Sequence, residues 1–159
     1  MARTGPPPPV PRLEHPGIRV AAVVAGFHRE LSERLLEGAR ERLREAGLPD
    51  GHLEAHWVPG VFELPLAARA MAHRRRYAAV IAIGVVIRGE TAHFDHICNA
   101  AATGLTAVSL ESGVPCTFGV LTCENQAQAE ARAGGDKGNA GIDAADAAIV
   151  MINLLAESR

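Results

Sequence analysis

The residues best suited to chemistry are gathered between Arg88 and His96. Arg88-Gly89-Glu90-Thr91 forms a polar turn, and His93 and His96 follow with Asp95 between them. Glycine in such a turn lets the backbone approach a ligand closely. Thr91 stands where an N-cap is expected, just before a helix that begins at Ala92 or His93. The unpaired N–H groups of a helix start point back at the turn, and the helix dipole is positive there, so an anion is held favourably. His93 lies within that first turn, and an imidazole with a pKa of about 6.5 suits proton transfer near neutrality. These residue types specify a phosphate cradle beside a proton shuttle. They do not specify a metal: one His-x-x-His, without a third ligand at useful spacing, leaves a tetrahedral site unfilled. No P-loop or dinucleotide fingerprint is present, and Ser109 and Ser112 lie in no nucleophile motif.

Three further residues each admit a bland and a chemical reading. Phe27, after Gly26, either caps the core or offers a face for a flat heterocycle to stack on. Glu63 either favours a helix N-terminus electrostatically or accepts hydrogen bonds from a polyol. Arg132, before a glycine-rich loop, is either a solvated cation or a phosphate clamp.

The elements that position these residues follow from the apolar pattern. Ala79 to Ile87, broken by one glycine, is short and rich in β-branched residues, which predicts a strand buried on both faces. Further strands are expected at 18–25, 53–58 and 116–122. Leu31, Leu35, Ala39, Leu43 and Ala46 recur at helical spacing and predict a helix over 29–46, closed by Gly47. Other helices are expected at 64–73, with Pro65 in its first turn, at 92–112, 124–133 and 142–155, with a glycine loop at 134–139. Strand and helix alternate four times, which implies an α/β fold: a three-layer α/β/α sandwich around a four-stranded parallel, flavodoxin-like sheet. Ligands of such sheets sit beyond the carboxyl ends of the strands. That rule selects Phe27, Val61 to Glu63, Val86 to Thr91 and Thr122 to Asn125. Residues 18–159 are expected to form one domain. Residues 1–17 are a proline-rich arm that cannot be helical and is expected to be disordered or extended at 1–9.

Composition narrows the function classes. A chain of 159 residues is long enough for one real core. A formal charge of −2 argues against nucleic acid or an anionic membrane as partner. Lys137 is the only lysine and falls in a polar loop, a poor place for a Schiff base. Cys98, Cys116 and Cys123 form no CxxC pair, which suits buried thiols in a reducing cytoplasm. The proline-rich start lacks the apolar core of a signal peptide, and no apolar run is long enough to span a membrane.

Five motifs in order, VAGFH, WVPGVFELP, GVVIRGETAHFDH, PCTFGVLT and QAEARAG followed by GNAG, resemble the lumazine synthase family of riboflavin biosynthesis. The likeness runs from about Arg19 to Leu155. It implies condensation of 5-amino-6-(D-ribitylamino)uracil with 3,4-dihydroxy-2-butanone 4-phosphate, without cofactor or metal. It implies that Phe27 stacks on the pyrimidinedione, that Val61, Phe62 and Glu63 hold the ribityl chain and ring edge, and that Val85, Val86 and Ile87 line the ring pocket. By the same resemblance Gly89, Glu90 and Thr91 wrap the phosphate and His93 passes protons. Phe118 and Arg132 come from a neighbouring subunit, the first to close the pocket and the second to bind phosphate. A homo-oligomer is implied, either a pentamer or a 60-mer of pentamers, with riboflavin synthase open as a partner. That about 10–16 of the arm lie along a neighbouring subunit is implied only by this resemblance. Many relatives read GNKG where this chain has Gly138-Asn139-Ala140-Gly141; Lys137 is the lysine nearest that gap. A shell protein that has lost catalysis and a flavin-binding module are the competing readings.

Overall fold

Side-chain alternation along four short strands sets the layering of the molecule. The computed structural model describes residues 9–158. The strands are β1 Val20–Ala25, β2 Leu53–Val58, β3 Ala79–Ile87 and β4 Cys116–Cys123. All pair in parallel, in the order β2-β1-β3-β4. Between and after them run α1 Arg29–Glu45, α2 Leu64–Ala72, α3 His93–Ser112, α4 Gln126–Arg132 and α5 Ala140–Glu157.

Successive strand residues point to opposite faces, so a sheet covered on both sides must be apolar at every position. Val20, Ala22 and Val24 of β1 and Ile81, Ile83 and Val85 of β3 enter one core. There they meet Leu31, Leu35, Ala39 and Leu43 of α1 and Ala145, Ala148 and Ile149 of α5. Ala21, Val23, Ala25, Val80 and Ala82 point the other way, against Leu64, Ala68 and Met71 of α2 and Ala101, Leu105 and Val108 of α3. The expected α/β/α sandwich around a four-stranded parallel sheet is the architecture observed.

Most of the differences in element boundaries lie in the last third of the chain. The stretch expected to be a glycine loop at 134–139 contains a small antiparallel ribbon, β5 Ala133–Gly135 with β6 Gly138–Asn139. Helix α5 starts at Ala140 rather than 142 because Asn139 caps it: its Oδ1 accepts from the N–H groups of Gly141 (2.8 Å) and Ile142 (3.3 Å). The Asn139 Nδ2 also donates to the Arg34 carbonyl at 3.1 Å, tying this start to α1. Gly141 is there for space, since a Cβ on it would lie 1.9 Å from the Leu35 carbonyl oxygen. Helix α4 begins at Gln126 rather than 124, capped by the Asn125 side chain, which accepts from Gln128 N–H.

Residues 1–8 of the proline-rich arm, Pro6, Pro7 and Pro8 included, lie outside the described residues. Residues 12–14 bind this chain's own helices. Leu13 is buried, and its N–H donates to the Ala46 carbonyl at 2.9 Å. Asn153 of α5 donates to the Arg12 carbonyl at 2.7 Å and accepts from Glu14 N–H at 3.2 Å.

Candidate active site

A cleft of about 560 Å³ opens at the carboxyl edge of the sheet, over the ends of β1 and β3. This is the switch point of the strand order, where β1 is followed outward by β2 on one side and β3 on the other.

The end of β1 supplies Gly26, Phe27 and His28. Gly26 N–H donates to the Val58 carbonyl (2.8 Å) and Phe27 N–H to the Pro59 carbonyl (3.1 Å), which stitches this loop to the one after β2. Phe27 is no core cap: it is 71% exposed and lines the cleft. His28 holds a left-handed backbone (φ 59°) immediately before α1.

After β2, Pro59-Gly60 breaks the strand and Val61–Glu63 forms a single 3₁₀ turn that runs into α2. Val61 is buried as a cleft wall, whereas Phe62 and Glu63 are exposed. Glu63 Oε2 accepts from Gly60 N–H at 2.9 Å, which fixes the carboxylate at the rim.

At the end of β3, Val85, Val86 and Ile87 line the cleft floor, and Gly89, Thr91 and His93 line its next wall. Thr91 is not the N-cap. Ala92 occupies that position without a side-chain cap, and Thr91 Oγ1 instead accepts from His93 N–H at 3.3 Å. One extra turn residue before the helix puts the threonine hydroxyl two residues from His93, within reach of only that first donor. Arg88 turns away from the cleft: its guanidinium meets Asp95 and Glu124 and lies over Phe94.

Ten residues named from the sequence are thus brought together: Phe27, Val61, Phe62, Glu63, Val85, Val86, Ile87, Gly89, Thr91 and His93. Glu90 is exposed at the turn but does not line the cleft, and neither do Phe118 and Arg132 of the same chain. Phe118 is 43% exposed on β4, and Arg132 ends α4 with its Nη1 donating to the Gln128 carbonyl at 3.1 Å. His28, Pro59, Gly60, Phe94 and Ile97 also line the cleft, and the sequence pattern did not single them out. Ile97 had a signal, since it lies one helical turn past His93. Among the described residues no group of three His, Cys, Asp or Glu side chains could hold a metal ion. No helix of the described residues is long and apolar enough to cross a membrane.

The strand order, with a cleft over the strand ends at the switch point, places the chain among flavodoxin-like α/β proteins. Within that class the chain belongs to the 6,7-dimethyl-8-ribityllumazine synthase family, whose model matches residues 17–156. Two proteins named 6,7-dimethyl-8-ribityllumazine synthase, from Coxiella burnetii strains CbuG_Q212 and RSA 493 / Nine Mile phase I, are each 46% identical to it. The likeness spans 139 residues, 87% of this chain and 92% of each relative.

Proposed function

We propose that the protein is a transferase of riboflavin biosynthesis. It condenses 5-amino-6-(D-ribitylamino)uracil with 3,4-dihydroxy-2-butanone 4-phosphate to 6,7-dimethyl-8-ribityllumazine, releasing phosphate and water. The observation that carries this reading is the convergence of ten family-matched positions on one cleft in a chain of this family.

The pyrimidinedione lies on Phe27, whose ring is largely uncovered, with Val85, Val86 and Ile87 beneath it. Its ribityl chain runs toward Val61, Phe62 and Glu63, where the rim carboxylate accepts hydroxyl donors. The ketone phosphate sits at Gly89, Glu90 and Thr91. Amine attack on the ketone, loss of phosphate and ring closure each move a proton, and His93 at the mouth of the cleft serves these transfers. The larger share of the acceleration comes from holding two polar substrates in register, which can supply roughly 7–11 kcal/mol of a bimolecular barrier.

The site is completed by a second copy of the chain. None of the described residues lining the cleft is Arg or Lys, although a phosphate dianion calls for a cation. Arg132 and Phe118 of a neighbouring subunit fill that need, in a pentamer or a shell of pentamers. Exposed leucines on α2 and α3, Leu66 and Leu110, are consistent with a surface covered by another copy. The cytoplasm is the compartment assigned, and riboflavin synthase the partner that consumes the product.

Mixing both substrates with the protein and following lumazine absorbance tests the activity. Flavin binding at equilibrium without any turnover would overturn it. Light scattering tests the assembly; a stable, active monomer is the result that excludes shared sites.

A further inference from the structure

Resting on the reading above, we propose that Arg88 is the positioning residue of the phosphate turn: its side chain clamps the segment 89–93 in place and does not itself bind the substrate anion. Four contacts converge on it. The Arg88 N–H donates to the Cys123 carbonyl at 2.9 Å, a last tie between the ends of β3 and β4. Its Nη1 and Nη2 donate to the two oxygens of Asp95 at 3.0 and 3.1 Å, a planar fork on a carboxylate. Its Nε donates to Glu124 Oε2 at 2.8 Å. The guanidinium carbon stands 4.3 Å from the centre of the Phe94 ring.

Those partners lie on the elements that flank the turn. Asp95 sits in the first turn of α3, two residues past His93, and Phe94 between them lines the cleft. Glu124 directly follows β4. One side chain therefore joins the end of β3, the start of α3 and the end of β4.

The turn it encloses has little other support. Gly89, Glu90 and Thr91 are all exposed, and a Cβ on Gly89 would meet nothing within 4 Å. The hydrogen bond from His93 N–H to Thr91 Oγ1 is the one side-chain tie within it among the described residues. Without the clamp, the backbone donors of the turn have no reason to hold one arrangement.

Charge and exposure say what the clamp is for. One guanidinium faces two carboxylates, so the cluster is net negative and draws no phosphate to itself. The Arg88 side chain is 36% exposed, Asp95 52% and Glu124 58%. Ion pairs this exposed add little to stability, so the chain folds without them. What their loss removes is alignment, and small misplacements at a reacting centre can cost large factors in rate.

Two variants separate this role from the alternatives. Arg88→Lys keeps the charge and loses the fork. Asp95→Asn frees the guanidinium and removes a negative charge. If Arg88 were a phosphate ligand, or acted only through net charge, Asp95→Asn would tighten binding of the phosphate substrate. The clamp requires the opposite. Both variants are expected to raise KM for the ketone phosphate about tenfold, leave KM for the pyrimidine within about twofold and leave the melting temperature nearly unchanged. Binding of inorganic phosphate, measured by calorimetry on the same proteins, is expected to weaken to a similar extent and reads the turn even if the wild type turns nothing over. Tighter phosphate binding in Asp95→Asn, unchanged binding in Arg88→Lys, equal loss of affinity for both substrates, or no phosphate binding by the wild type overturns the proposal. Absence of turnover with normal phosphate binding counts against the proposed reaction alone.

Discussion

The rings of Phe27 and His28 meet edge to face, with centroids 4.9 Å apart and planes at 83°. His28 reaches this position through its left-handed backbone, and the contact steadies a phenylalanine that the core does not hold. A flat substrate ring on Phe27 gains about 0.5–1.5 kcal/mol beyond its buried area. Phe27→Leu is therefore expected to raise KM for the pyrimidine about threefold to tenfold, with the thermal midpoint unmoved. Steady-state kinetics with each substrate varied in turn checks this.

His93 is exposed at the cleft, so under the role proposed for it, replacing it is expected to perturb chemistry and not folding. General acid–base assistance is worth about 10²–10⁴-fold. Because positioning carries more of the barrier, His93→Asn is expected to slow turnover by about the lower of these factors and leave a measurable rate. Single-turnover measurements decide; complete loss of rate in a folded variant would mean that proton transfer, and not positioning, supplies most of the acceleration.

Gly84 lies under the cleft wall. A Cβ there would come 2.7 Å from Val61 Cγ2 and 3.0 Å from Ala25 Cβ, so β3 passes this point only without a side chain. Overpacking of this kind costs about 1–3 kcal/mol. Gly84→Ala should lose that much in urea denaturation and also disturb substrate binding, because the atom it displaces belongs to Val61.

Asn139 serves both ends of its side chain, as the cap of α5 and as a donor to the Arg34 carbonyl. Losing a cap of this type costs about 0.5–2 kcal/mol, and the lost hydrogen bond to the Arg34 carbonyl adds to it. Asn139→Ala should destabilise the protein by about 1–3 kcal/mol, measured at fixed protein concentration. A change below a few tenths would mean that solvent replaces both contacts.

Glu54 gives a pH dependence. The Tyr77 hydroxyl donates to it at 2.6 Å, Arg76 and Arg19 also contact it, and together they pull its pKa from the ordinary 4.5 down to about 2. A carboxylate depressed in the folded state takes up protons more readily when unfolded. Its contribution is present above about pH 4.5 and is lost as the pH falls toward 2. The difference in melting temperature between wild type and Glu54→Gln should be greatest above pH 4.5 and shrink across that window. A difference independent of pH would assign the effect to packing.

The layering was legible in the sequence because a strand covered on both faces must be apolar throughout, as Val20–Ala25 and Ala79–Ile87 are, and an amphipathic helix such as Arg29–Glu45 must repeat its apolar residues at helical spacing. Both are local patterns. Most of the cleft followed from the same reading, since the ends of parallel strands share one edge and bring Phe27, Glu63 and His93 together. Tertiary structure alone decided the partners. Arg88 meets Glu124 across 36 positions, Asn139 meets Arg34 across 105, and Leu13 packs beneath the end of α1. No periodicity encodes such meetings, because a polar or terminal residue takes whichever partner the assembled sheet and helices carry to within hydrogen-bond distance. For the same reason the sequence marked Arg88 as one more residue of the polar turn, and only the packed strands and helix revealed its contacts with Asp95, Glu124 and Phe94.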